Sequence, residues 1–448
     1  MTARLRASIV PIFLLLCVLL GGSSVKLWES AALQLLAVLI IGLVIALPRS
    51  GLNGQGARPL IGLVIGAIAI VIIQLIPLPP GLWQSLPGRG PLALGFTTLG
   101  YPVPALPLSW APYRTLESAY ALLPPTAVLL AILALREHSE RSVASIVLVG
   151  ALLSVVLGAL QSASSGPESW VYVYKYASPG AVGFFANRNH MATLLLAAVP
   201  FSAALFAAGH PHVRSRSTAL AMAALGAGGL LLILVGLVLN GSLAALALAA
   251  PVIAFSGLLL PIGWRFRKVL IPIAVLAFII SIAVLATSWI KSDVVASVET
   301  DSLYSRGQIW SLTLRAIAET FPVGTGLGTF TGVYALQENP ATVTVAWVNH
   351  AHNDYLELLL ETGLAGLLLI LAFLAWFVVQ AARVWRSPFS SLFAKAATIA
   401  AAAILAHSIV DYPLRTAAIA TVFAACLGMM AGPPRRSRSD EARHVRIA

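Results

Sequence analysis

Charge is scarce in this sequence. Asp, Glu, Lys and Arg together make up 10% of 448 residues, whereas soluble domains carry about 25%. That shortage excludes a water-soluble globule, a charged coiled coil and an intrinsically disordered chain. Cysteine is nearly absent: only Cys17 and Cys426 occur, each inside an apolar run. They read as small packing residues, and a disulfide-rich secreted scaffold is excluded. There is no HExxH, no CxxC and no Gly-Lys-Ser/Thr after a glycine loop, so zincin, thiol-redox and P-loop chemistry lack their signatures. No repeat of fixed period runs through the chain. What is abundant is apolar: 59% of residues are hydrophobic.

These residues fall into runs long enough to cross ~30 Å of hydrocarbon. Twelve are read: 8–22, 31–47, 60–78, 113–135, 142–161, 191–209, 218–240, 243–262, 269–290, 363–383, 396–410 and 414–431. The expected fold is therefore all-α, a polytopic membrane protein of about 12 transmembrane helices. The first run follows Arg4 and Arg6 like a signal peptide, but no small-residue cleavage site follows and a second span comes at once, so a retained helix is expected.

The formal charge of +12 is unevenly placed. With the N-terminus inside, the inner loops hold 19 Lys/Arg and 4 Asp/Glu, while the outer loops hold 9 and 12. This is the positive-inside bias, and it places both termini in the cytoplasm. Basicity thus reads as topology and attraction to anionic membrane lipids rather than nucleic-acid binding. The expected organisation is helices 1–5 over 1–162, a core of helices 6–12 over 163–432 containing a long outer loop at 291–362, and a basic cytoplasmic tail at 433–448 with Arg435, Arg436 and Arg438.

The unusual polar residues gather at the outer boundary. Asn187, Arg188, Asn189 and His190 open the sixth span. An arginine at a helix entrance suits an anion, because its planar fork matches phosphate oxygens and the helix end adds positive partial charge. An equally simple reading is that the amides cap the helix and Arg188 reaches to headgroups. Arg306 begins a stretch, 305–320, in which Ile309, Trp310, Leu312 and Ile317 alternate with polar residues, as in an interfacial amphipathic helix. Gly324, Gly326 and Gly328 form either a flexible turn or a backbone loop that approaches a ligand closely.

The densest polar segment is Asn349, His350, His352, Asn353, Asp354 and Glu357, leading through Glu361 to the tenth span. Such groups are costly beside hydrocarbon. His352 is the natural general base near neutral pH. A metal held by His350, His352 and Asp354 is the alternative, weakened by the missing zinc signatures. Glu357 and Glu361 could simply favour a helix N-terminus. Finally, His407, Asp411 and Arg415 flank Pro413 in a short outer hairpin that is either structural or a support for the site.

Taken together, these motifs resemble the O-antigen ligase and polymerase superfamily of bacterial inner-membrane glycan transferases. The resemblance rests on Phe185-x-Asn187-x-Asn189, on Ser305-Arg306 through Trp310 and Pro322 to Phe330, on His352-Asn353 followed by Gly363 and Gly366, and on His407 through Pro413. It implies transfer of a glycan from a polyprenyl diphosphate carrier to a sugar hydroxyl on lipid A–core or on a growing polysaccharide, at a periplasmic site. It implies that Arg188 and Arg306 hold the diphosphate and that His352 is the base. Asn187, Asn189, His350, Asn353, Asp354, Glu357, Gly326 and Gly328 would bind or orient substrate, and His407, Asp411 and Arg415 would support them. No metal and no cofactor is expected. A polymerase of the same superfamily stays open, as does a lipid or solute transporter without chemistry.

Overall fold

A chain in lipid must satisfy its backbone N–H and C=O groups within itself, and helices do so segment by segment. The computed structural model describes residues 3–24, 28–47, 56–135, 138–209, 216–261, 263–290, 306–341 and 347–432. The basic tail 433–448 and the start of the long outer loop, 291–305, lie outside them. The described residues form an all-α polytopic membrane protein.

In chain order the helices are α1 (Ala3–Leu20), α2 (Trp28–Ala46), α3 (Ala57–Leu75), α4 (Pro80–Trp83), α5 (Gly90–Thr98), α6 (Pro112–Ala121), α7 (Leu123–Ala134), α8 (Glu140–Ser162) and α9 (Arg188–Gly209). They continue as α10 (Arg216–Asn240), α11 (Leu243–Gly257), α12 (Trp264–Ile290), α13 (Arg306–Thr320), α14 (Phe330–Gln337), α15 (Asp354–Arg386), α16 (Leu392–His407) and α17 (Ala417–Ala431). Each of the twelve apolar runs corresponds to helix. Among the described residues, eight helical segments are long and apolar enough to cross a membrane, and α11, α16 and α17 are shorter apolar helices.

The ends differ from the hydropathy pattern where local chemistry intervenes. The third run stops at Leu75, because Pro77 and Leu78 pair as a two-residue strand with Leu106 and Pro107. The fourth run is divided at Leu122 into α6 and α7, since Pro124 and Pro125 open the second piece without donating backbone hydrogen bonds. Asn353, Ser391 and Thr416 cap α15, α16 and α17 through their side-chain oxygens.

One helix is the central post. In α9, 78% of the most apolar stretch is buried, against 11% for the span at Arg265–Ala283. It packs against α8, α10, α11 and α16. The alanine-rich α16 and α17 bring backbones close, as small residues do inside membrane bundles. The expected amphipathic helix is α13, whose Ile309, Trp310 and Ile317 are buried. It packs against α15, which in turn packs against α3.

Helix α15 is bent at Gly363, whose φ of 56° and ψ of −142° are non-helical. A Cβ there would meet the Pro322 carbonyl oxygen at 2.1 Å, so only glycine fits. The bend divides α15 into a headpiece carrying Asp354, Glu357 and Glu361 and a shaft running on to Arg386.

Candidate active site

The hairpin between α16 and α17 is where the outer polar segments meet. Asp411 is its centre. Its Oδ1 accepts the Tyr412 N–H at 2.8 Å and lies 3.5 Å from His352 Nδ1 and 4.0 Å from His190 Nε2. The carboxylate side chain is 1% exposed and the His352 side chain 26%, so the imidazole faces outward from a buried anion. Burial alone would push the Asp411 carboxyl up. The His352 imidazole beside it, with His190 and the charge of Arg306, holds it far below the usual carboxylate range.

The backbone aims this imidazole. His352 has φ of 49°, the left-handed region that a β-substituted residue rarely enters. It immediately precedes the Asn353 cap, whose Oδ1 accepts the Tyr355 and Leu356 N–H groups at 3.0 and 3.1 Å. The Asp354 N–H donates back to the Ser408 carbonyl at 3.0 Å, docking the start of α15 on the hairpin. Strain at His352 is thus held by contacts on both sides.

Tyr412 joins three segments. Its ring lies 4.8 Å from His190, 4.2 Å from His350 and 5.0 Å from His352, centroid to centroid. Its hydroxyl accepts from Asn187 Nδ2 at 3.4 Å and Asn349 Nδ2 at 3.2 Å. Burial, then the Asp411 charge, pushes the phenol up, so it stays neutral. Asn187 also caps the start of α9, its Oδ1 accepting the Asn189 N–H at 2.9 Å.

The two arginines stand at the starts of two different helices. Arg188 is the first residue of α9, and its carbonyl is fixed by Asn240 Nδ2 at 2.8 Å. Arg306 begins α13, which is tied to the histidine loop by Trp310 Nε1 donating to the Ala351 carbonyl at 2.8 Å. Its charge is felt by both Asp411 and His407. His407, 0% exposed, exchanges a hydrogen bond with Thr193 Oγ1 on α9 at 2.8 Å.

The remaining candidates form a second cluster. Arg415 meets Asp354 at 3.5 Å, Glu357 at 3.4 Å and Glu361 at 3.1 Å. Glu357 also holds His350 Nδ1 and the Ala351 N–H, both at 2.8 Å. Glu361 accepts the Gly328 N–H at 2.8 Å and the Phe330 N–H at 3.4 Å. Gly326 and Gly328 are packed against Ser109 and Ser118, where any Cβ would collide, and both have positive φ. The glycine turn is therefore a tightly seated piece of backbone. His350, His352 and Asp354 face three different partners, and among the described residues no group of three His, Cys, Asp or Glu could hold a metal ion.

Several of these contacts were invisible in the sequence. Tyr412 was not among the residues the sequence singled out. Nor was Gln74, which donates to the Glu361 carbonyl at 2.9 Å and accepts the Leu327 N–H at 3.0 Å. Gln161 similarly organises 171–183 by bonding the Val171 and Gly183 carbonyls and the Val182 and Gly183 amides. For the two glutamines the only available signal was position: each is an amide near the end of an apolar run.

A polytopic helical membrane protein with an imidazole–carboxylate pair and arginines at one boundary is the class these features define. The family model described as O-antigen ligase matches residues 228–371, about a third of the chain, and that match supports membership of the O-antigen ligase superfamily. It supports a function of O-antigen ligase type at the level of the family, whose members are glycosyl-transferring. The matched stretch contains Arg306, the glycine turn, His352 and the headpiece of α15; Arg188 and the Asp411 hairpin lie outside it. Among curated proteins, none matches the chain.

Proposed function

We propose that this protein transfers a glycan from a polyprenyl diphosphate carrier to a sugar hydroxyl, at the periplasmic face of a bacterial inner membrane. The charge bias of the loops supports that orientation, with both termini cytoplasmic. The observation that carries the chemistry is His352 set against the buried Asp411 carboxylate. A carboxylate only accepts, so the neutral imidazole turns Nδ1–H to Asp411 and leaves the Nε2 lone pair for an acceptor hydroxyl.

His352 takes the hydroxyl proton as the oxygen attacks the anomeric carbon. The bond from that carbon to the diphosphate oxygen breaks, its electron pair leaves with the diphosphate, and the configuration inverts. Arg188 and Arg306 stabilise the departing charge, a task preorganised cations perform without a metal. Asp411 steadies the imidazolium. Asn187, Asn189 and Asn353 shape the walls, while Asp354, Glu357 and Arg415 fix the floor. The carrier's tail lies among the spans with membrane lipids.

The test is transfer by membranes of a deletion strain expressing variants, read as surface glycans on gels. His352→Ala is expected to lower transfer by about 10²–10⁴-fold, with Arg188→Ala and Arg306→Ala at least as severe and all three inserted normally. Near-normal glycan from His352→Ala would remove the base from the mechanism. Long chains missing from lipid A–core with carrier-linked polymer accumulating marks a ligase; single-repeat products mark a polymerase.

A further inference from the structure

His190 is an anomaly within α9. The residues that follow it, Met191, Ala192 and Leu194 through Ala198, are buried and apolar. His190 is 1% exposed, and neither of its ring nitrogens finds a hydrogen-bond partner among the described residues. A neutral imidazole always carries one N–H, and burying it unpaired is costly. Leucine or phenylalanine would fill the same space without that cost.

The surroundings favour one partner, the buried carboxylate of Asp411. The ionisable groups facing His190 are Asp411, His350, His352 and His407. His350 is bonded to Glu357 and His407 to Thr193. Asp411 keeps one oxygen, Oδ2, with no hydrogen-bond partner, and its Oδ1 is 4.0 Å from His190 Nε2. The ring cannot swing far from that direction, since Tyr412 meets it edge-on at 84°. A shift of roughly 1 Å brings the pair to the ~2.8 Å of a charge-assisted bond.

We propose that His190 donates Nε2–H to Asp411 and is a positioning residue for the base. The carboxylate is then gripped between two imidazoles, His190 behind and His352 in front, and cannot turn away when His352 becomes charged. His190 shares the first turn of α9 with Arg188, and its own N–H is bonded to the Asn187 carbonyl at 3.2 Å. The arm that holds the leaving diphosphate and the carboxylate that steadies the base are thereby one rigid piece. The inference rests on the glycan-transfer reading above.

The test uses purified full-length protein in nanodiscs, with carrier-linked glycan extracted from the deletion strain as donor and lipid A–core from the same strain as acceptor. His190→Leu is compared with His190→Gln, whose amide nitrogen sits near the position of Nε2, and with His352→Ala. The expected result is a kcat loss of about 10–100-fold for His190→Leu, the usual cost of removing such a supporting partner. KM stays within about twofold, and His190→Gln recovers most of the rate. Equal kcat for the Leu and Gln variants, whether both normal or both depressed, overturns the role of His190 while His352→Ala stays inactive. Full activity in His352→Ala instead overturns the base reading on which this inference depends.

Discussion

Two ionisable clusters lie on either side of Tyr412 and Pro413, and they are built in opposite ways. Around Arg415 the accounts are closed: the guanidinium faces three carboxylates, and each of these also bonds a backbone N–H, of Leu414, Ala351 or Gly328. Around Asp411 they are open: His190, His407 and Asp411 all keep buried polar atoms without partners. A satisfied network fixes a shape, whereas buried polar groups left under-satisfied are retained at a cost and mark the place where something is to be bound or moved. On the proposed function the first cluster holds the shape and the second carries the chemistry, although both have similar residue types.

This division can be broken by substitution. The largest effect is expected from Asp411→Asn, which keeps the shape but not the charge: transfer falls by about 10²–10⁴-fold, with membrane abundance and thermal unfolding unchanged. Loss of folded protein instead would make Asp411 structural. Arg415→Met is expected to do the reverse. It strands three carboxylates and lowers stability by about 3–5 kcal/mol, read as an earlier thermal transition in detergent. Adding Glu357→Gln and Glu361→Gln to it is expected to restore part of that loss.

Smaller effects sharpen the picture. Gln74→Leu leaves the Leu327 N–H and the Glu361 carbonyl short of a partner and is expected to cost about 1–3 kcal/mol, with kcat preserved in the protein that remains folded. Smallest of all is the response to EDTA: transfer is expected to persist in chelator, and complete loss with rescue by Mn²⁺ would replace the two-arginine scheme by metal chemistry.

Hydropathy made most of the bundle legible, because a span announces itself by composition alone. Every one of the twelve apolar runs is helical, and the breaks at Leu75 and Leu122 follow prolines already visible in the sequence. The outer polar segments were legible as segments, and Arg306 and His352 could be singled out. What composition does not encode is pairing across distance. Asn187 meets Tyr412 across 225 residues, and Gln74 meets Leu327 across 253. Nothing in either neighbourhood announces the other, since an amide at a helix end suits water as well as a partner. Which carboxylate serves His352 was equally hidden: Asp354 and Glu357 are nearer in sequence, but the left-handed turn at His352 directs its ring to Asp411.

The bend at Gly363 has a consequence for how the chain enters the bilayer. Beyond it, residues 364–386 form a hydrophobic rod of about 34 Å at 1.5 Å per residue, enough by itself to reach from one headgroup layer to the other. An unbroken helix would be some 15 Å longer, and its acidic first turns would have to be dragged into the acyl chains or thrust clear of them. One residue without a side chain thus lets the acidic first turns leave the line of the apolar rod that follows them.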